Sequence, residues 1–264
     1  MQQNFKAAFG RPLRTPSLLL ACLLLALMAA CAPLPPRNPM ATWVASKNHD
    51  IRKPQLIVLH FTNQGSVQQA LDTLRSHNPD GPVSAHYLIG RDGHLYQLVS
   101  DVDRAWHAGG GRWGTITDVN SASIGIEIDN NGHEPFPPAQ IASLISLLTD
   151  LTTRWSILRA QIIGHEDMAP TRKDDPGPLF PWATLAANGF GLWPDPIATL
   201  PDPPAGFDPW MALTAIGYSL DDPPAAVRAF HDHFRGMGGS TLDAEDLRIL
   251  NNLVGKIERG ATEK

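Results

Sequence analysis

Residues 123–128, Ser-Ile-Gly-Ile-Glu-Ile, constrain the fold more tightly than any other stretch of this chain. At a two-residue period Ile124, Ile126 and Ile128 fall on one face and Gly125 and Glu127 on the other. The segment therefore reads as a strand with its isoleucine face turned to a core. Opposite that face, a carboxylate beside a residue with no side chain is placed toward an open space.

The other elements follow the same kind of signal. Residues 56–61, Leu-Ile-Val-Leu-His-Phe, form a second β-like run, apolar but for His60. Ser66 can cap a helix in which Val67, Ala70, Leu71 and Leu74 recur at i, i+3, i+4 and i+7. Residues 85–89 and 95–99 flank Asp92-Gly93, which predicts a tight hairpin. Pro137 and Pro138 open a longer helix carrying Ile141, Leu144, Ile145, Leu148, Leu151 and Trp155 on one side, and residues 161–164 are a last short strand that delivers His165. Strands separated by helices, together with a hairpin, predict an α/β fold with a mixed central β-sheet flanked by helices.

Residues 193–206, Trp-Pro-Asp-Pro-Ile-Ala-Thr-Leu-Pro-Asp-Pro-Pro-Ala-Gly, hold too many prolines for a helix or a central strand and read as a linker between domains. Beyond them, helical patterns over about 209–216, 224–234 and 244–257 predict a small three-helix domain at 207–264, a size that can just fold alone. A helical lid on the preceding domain, 46–192, is the other reading of that region.

The first residues carry an export pattern. Lys6, Arg11 and Arg14 precede an uncharged apolar run at 18–30, and the small Ala29 and Ala30 stand directly before Cys31. That is a secretory signal too short for a comfortable membrane span, and the placement of Cys31 makes it a bacterial lipoprotein signal, 1–30, with Cys31 as the acylated first residue. Cys22, the other cysteine, is then discarded, and several acyl chains on Cys31 anchor stably. Ala32 after the cysteine directs the chain to the outer membrane, lipid-anchored in its inner leaflet and facing the periplasm. Residues 31–45, with Pro-Leu-Pro-Pro-Arg-Asn-Pro at 33–39, are a stiff tether. Removal of 1–30 takes three of the 21 Lys and Arg and none of the 26 Asp and Glu, leaving a formal net charge of −8. A chain this acidic offers no basic footprint for nucleic acid.

Chemistry gathers at residues 162–182, where an imidazole, an ammonium and carboxylates lie within a few residues: Ile-Ile-Gly-His-Glu-Asp-Met-Ala-Pro-Thr-Arg-Lys-Asp-Asp-Pro-Gly-Pro-Leu-Phe-Pro-Trp. A catalytic zinc takes three protein ligands and keeps a fourth position for water, so a third ligand must come from elsewhere. His60 is the best candidate, because it projects from the end of a rigid run. A general base is needed beside the metal water, and Glu127 fits. Glu166 and Asp167 adjoin His165, and either could orient its ring.

Five blocks in order, Ile-Val-Leu-His-Phe-Thr (57–62), Val-Ser-Ala-His-Tyr-Leu-Ile-Gly-Arg-Asp-Gly-His-Leu-Tyr-Gln-Leu-Val (83–99), Arg-Ala-Trp-His-Ala-Gly-Gly-Gly-Arg-Trp-Gly (104–114), Asn-Ser-Ala-Ser-Ile-Gly-Ile-Glu-Ile-Asp-Asn (120–130) and the segment from Gly164 to Trp182, carry a family resemblance. Over residues 55–182 the chain resembles the zinc-dependent N-acetylmuramoyl-L-alanine amidases of the type 2 family, relatives of the peptidoglycan recognition proteins and phage T7 lysozyme. The resemblance implies one Zn²⁺ per chain, held by His60, His165 and Asp175. Asp175 rather than Asp174 is picked by the family pattern Lys-x-Asp-Pro-Gly-Pro at 173–178. It further implies Glu127 as the base and Lys173 as the stabiliser of negative charge on the carbonyl oxygen. His86 and His107, in the matching blocks but not at zinc-ligand positions of the relatives, are expected to pack or to line the substrate groove, and Trp106 and His107 would suit a sugar or peptide surface. The expected substrate is peptidoglycan or its muropeptides, including 1,6-anhydro forms, cut between N-acetylmuramic acid and L-alanine during wall turnover or recycling. The three-helix region resembles, more loosely, the small peptidoglycan-binding domain found beside wall hydrolases. A non-catalytic wall receptor and a zinc peptidase acting within the stem peptide are the competing functions.

Overall fold

The computed structural model describes residues 37–262, save 52, 53, 77, 79 and 80. The expected signal segment 1–30 and Cys31 lie outside the described residues. The strands are β1 (Thr42–Trp43), β2 (His49–Ile51), β3 (Leu56–Phe61), β4 (Tyr87–Ile89), β5 (Leu95–Gln97), β6 (Asp103–Ala105), β7 (Ser123–Ile128) and β8 (Ile162–Gly164). Six of them form one sheet in the order β1-β5-β4-β7-β3-β8, and β2 pairs with β6 apart from it. The β4–β5 hairpin is antiparallel and every other pairing in the large sheet is parallel, so the sheet is mixed. The helices are α1 (Val67–Arg75), α2 (Val119–Ala122), α3 (Pro138–Trp155), α4 (His165–Met168), α5 (Trp182–Ala187), α6 (Pro209–Ile216), α7 (Pro223–Arg235) and α8 (Ala244–Thr262). Among the described residues no helix is long and apolar enough to cross a membrane.

The central strands are apolar on both faces because both faces are covered. Ile57, Leu59, Ile124, Ile126 and Ile162 pack at the back against Leu144, Leu148 and Leu151 of α3. At the front, Leu56, Val58 and Ile163 share one cluster with Leu213, Phe230 and Leu250 of α6, α7 and α8. Beside them α1 lays Ala70, Leu71 and Leu74 over Leu88. Its N-terminus is closed by Ser66, whose side chain accepts from the Gln69 amide, as the sequence predicts.

Two expected boundaries do not divide the packing. Residues 193–206 are not a free linker: Leu200 is buried in the front cluster, Ile197–Thr199 form a short 3-10 turn, and Lys256 Nζ donates to the Trp193 carbonyl at 2.9 Å. The three C-terminal helices bury their apolar faces against the sheet, where Leu56 and Val58 need covering. The tether is also shorter than 31–45, since Asn38 is buried with its N–H on Gln97 Oε1 at 3.0 Å and β1 extends the sheet along β5.

In register, His60 of β3 stands opposite Glu127 of β7 and Glu127 opposite Leu88 of β4. Parallel neighbours in register project to the same face, so the imidazole and the carboxylate emerge side by side near the C-terminal ends of adjacent strands. Open α/β sheets place their ligand crevices at those ends.

Candidate metal centre and its cavity

Three ligand atoms converge on one point. His60 Nδ1 lies 2.9 Å from His165 Nδ1 and 3.0 Å from Asp175 Oδ2, and His165 Nδ1 lies 3.1 Å from the same carboxylate oxygen. All three residues are buried, and they form the one His/Asp/Glu/Cys group of metal-binding geometry among the described residues. A tetrahedral zinc with bonds of about 2.0–2.1 Å sets its ligand atoms about 3.3 Å apart, close to this triangle. His60 is delivered by β3, His165 opens α4 directly after β8, and Asp175 returns on the loop that follows. The Glu166 amide donates to the Asp175 carbonyl at 2.9 Å, closing that loop onto the turn.

The protonation states suit a cation. Ala108 O, which can only accept, lies 2.9 Å from His165 Nε2, so the proton of the neutral ring sits there and Nδ1 is a bare lone pair facing the carboxylate. Burial, and after it the neighbouring His165, pushes His60 down from 6.5 to about 4, keeping it a neutral ligand at pH 7.

Glu127 stands at the side of this triangle. Burial first, and then the Asp175 carboxylate, raises it from 4.5 to about 8, against the opposing pull of Lys173. Its Oε2 is buried and finds no hydrogen-bond partner among the described residues, so it is aimed into the site with its acceptor capacity open. A cavity of about 310 Å³ connects His60, Glu127, His165, Lys173 and Asp175 with Trp106 on its wall. Asp174 is exposed at its rim.

The expected groove residues separate. Trp106 faces the cavity, and its backbone is held by the Ser84 hydroxyl at 3.0 Å. His86 does not line it: the residue is fully buried, its Nδ1 accepts the Gly125 amide at 3.0 Å and its Nε2 reaches Asp103 O at 3.0 Å. His86 thus ties β4, β7 and β6 together where the ladders end: of its two expected roles it packs, and the expectation of a substrate contact there is corrected. His107 reaches the cavity wall, but its ring lies between His60 Nε2, 3.0 Å away, and Ser123 Oγ, 3.2 Å away.

Neither Glu166 nor Asp167 orients the His165 ring. Glu166 Oε1 accepts the Gly177 amide at 3.1 Å, while Asp167 accepts the Gly164 amide at 2.7 Å, the Tyr218 hydroxyl at 2.5 Å and His233 Nδ1 at 2.7 Å. His233 in turn stacks on Trp182 with ring centroids 3.7 Å apart. Helix α7, through His233, and Tyr218 of the loop between α6 and α7 therefore bolt the turn that carries His165 in place. Arg172 adds a second brace, donating to Ala108 O at 2.7 Å and Gly110 O at 2.5 Å. No spacing in the sequence announces these partners, because Tyr218 and His233 lie 51 and 66 residues from Asp167.

The fold and the cluster together define a mixed-sheet protein with a two-imidazole, one-carboxylate cluster that could hold a metal ion at its strand ends. Residues 50–178 match the family model described as N-acetylmuramoyl-L-alanine amidase. The chain is 41% identical over 158 residues to the N-acetylmuramoyl-L-alanine amidase AmiD of Escherichia coli, an alignment covering 53% of this chain and 55% of that protein. It is 35% identical over 167 residues to the 1,6-anhydro-N-acetylmuramyl-L-alanine amidase AmpD of Enterobacter cloacae, covering 56% of this chain and 89% of that one. In three dimensions it matches E. coli AmiD, solved with anhydro-N-acetylmuramic acid-L-Ala-D-γ-Glu-L-Lys, with a TM-score of 0.67 at 34% identity over 77% of this chain and 90% of that one. This chain belongs to the N-acetylmuramoyl-L-alanine amidase family of type 2.

Proposed function

We propose that the protein is a zinc-dependent amidase that hydrolyses the bond between the lactyl group of N-acetylmuramic acid and L-alanine of the stem peptide, acting on peptidoglycan or its muropeptides in wall turnover or recycling. The observation that carries this reading is the convergence of His60, His165 and Asp175 on one point, beside the open carboxylate of Glu127 and in one cavity with Lys173. Anhydromuramoyl peptides are in range, because the AmiD structure holds one and AmpD is named for one.

His60, His165 and Asp175 would hold the zinc ion, which when bound would supply a Lewis acid able to bring the pKa of a water toward about 7 and to polarise the amide carbonyl. With a cation in the site offsetting the burial that holds metal-free Glu127 neutral, its carboxylate would take the proton of the attacking water on its open oxygen and return it to the departing alanine nitrogen. Lys173, whose charge is felt at both Glu127 and His60, stabilises the negative charge that grows on the carbonyl oxygen. Trp106 offers an apolar face with a polar handle to the sugar or peptide. The oxygen of water ends on the lactyl carboxylate, the C–N bond breaks, and the stem peptide leaves with a free amine.

The export pattern of residues 1–31 supports a lipid-anchored protein at the outer membrane, acylated on Cys31 and facing the periplasm. Incubation with defined muropeptides, with and without a chelator, tests the activity by product mass. A released peptide beginning with L-alanine, absent in chelator, is the expected result. A peptide cut further along the stem, or no cleavage by zinc-loaded protein, overturns the reading.

A further inference from the structure

The proton positions along the line from Ser123 to His60 follow from its far end. A hydroxyl has one proton, and Ser123 Oγ donates it to the Val119 carbonyl at 2.6 Å, which can only accept. Toward His107 Nε2, 3.2 Å away, the Ser123 oxygen therefore accepts, and that ring nitrogen carries the hydrogen. In the neutral ring His107 Nδ1 is then a lone pair, which takes the N–H of His60 Nε2 at 3.0 Å. His60 Nδ1 is left bare, and it is the atom that faces His165 Nδ1 and Asp175 Oδ2.

The line is built, not incidental. Asn120 Oδ1 accepts from the amides of His107 at 3.0 Å and Ala108 at 2.9 Å. Ala108 O in turn receives His165 Nε2, so two consecutive residues pinned by one side chain hold the outer nitrogens of both metal histidines. The His107 ring also occupies the space that a Cβ at Gly125 would need, so any side chain there would displace it. This gives Gly125, on the Glu127 face of β7, a physical reason.

We propose that His107 is a positioning residue which, with Ser123 behind it, selects the His60 tautomer able to bind metal. The proposal rests on the reading of His60, His165 and Asp175 as metal ligands. Were the line reversed, with His107 Nδ1–H donating to His60 Nε2, the His60 proton would move to Nδ1 and stand where the cation belongs.

Imidazole ¹⁵N shifts of the metal-free protein, read in long-range ¹H–¹⁵N correlation spectra, report the tautomer, and chelator competition reports zinc affinity. In the wild type His60 should carry its proton on Nε2. Ser123→Ala, which deprives His107 Nε2–H of its acceptor, should mix the His60 tautomers and weaken zinc binding by about 10- to 100-fold, the usual loss for a group that orients a ligand. His107→Leu should lose as much, whereas His107→Gln, whose amide accepts from His60 and donates to Ser123, should stay within about threefold of wild type. Tight zinc binding by a wild type whose metal-free His60 is protonated on Nδ1 overturns this proposal alone. So does unchanged affinity in Ser123→Ala and His107→Leu, or a His107→Gln variant as weak as His107→Leu. A wild type that binds no zinc overturns the metal reading and this proposal with it.

Discussion

His60 and Glu127 occupy one rung of a parallel ladder, and burial drives both to their neutral forms: His60 falls from 6.5 to about 4 and Glu127 rises from 4.5 to about 8. The two have opposite consequences for the metal-free protein. Between about pH 4 and 6.5 the unfolded chain protonates His60 while the native one does not, so that contribution to stability is lost as pH falls. Between about pH 4.5 and 8 the native state holds the Glu127 proton and the unfolded chain does not, so stability declines as pH rises. Metal-free Glu127→Gln should lose that decline in thermal melts taken across pH in chelator; an unaltered pH slope would mean that the carboxyl is better solvated than its position indicates. With zinc present the same variant should retain the metal and lose at least about 10²-fold in rate, the lower end for an acid–base group. His60→Ala, His165→Ala and Asp175→Ala should instead lose zinc and activity together, checked by metal analysis alongside product mass.

Elements were legible where one residue period persisted. β7 stands out because its six residues alternate, β3 because it is an apolar run of six broken only by His60, and α1 because Ser66 caps a helix whose buried Ala70, Leu71 and Leu74 share a face. β1 and β2 are two and three residues long and are recruited by pairing with β5 and β6, so no periodicity marks them. His60 and His165 were candidates because each sits at or just after the end of a strand, yet a lone histidine there reads first as structural, and the family pattern was needed to make them ligands and to choose Asp175 over Asp174, which has the same side chain. The role of His107 was hidden, because its partner His60 lies 47 residues away. The prolines at 194–204 exclude a helix or a central strand, as read, but the linker they mark is a strap packed on α8. Leu250 tests that packing: it is fully buried in the cluster that also holds Leu56 and Val58, and Leu250→Ala should cost about 2–5 kcal/mol. The loss should appear as one lowered melting transition that takes the sheet with it. A separate early transition of the last three helices, with activity kept above it, would show that they fold on their own.

As a whole, the described molecule is a three-layer body whose front layer is supplied partly by its C-terminal helices. Through His233 of α7 and Tyr218 of the loop before it the same region reaches the turn that carries His165, so the catalytic face and the C-terminal region are mechanically one. Asp167, the polar group that joins them, is buried with both oxygens matched, as a buried carboxylate must be. Export belongs to this scale too: a Cys31→Ser form should be recovered as soluble protein from the periplasm, and its retention in the membrane fraction would contradict acylation at that residue.

The central claim is that side chains at 60, 165 and 175 share one zinc ion. Anomalous X-ray scattering recorded on either side of the zinc edge, from crystals of the protein purified without added chelator, tests it most directly. The account predicts one zinc peak per chain, bonded to His60 Nδ1, His165 Nδ1 and Asp175 Oδ2; a zinc-supplemented crystal with no peak between those three atoms would contradict it.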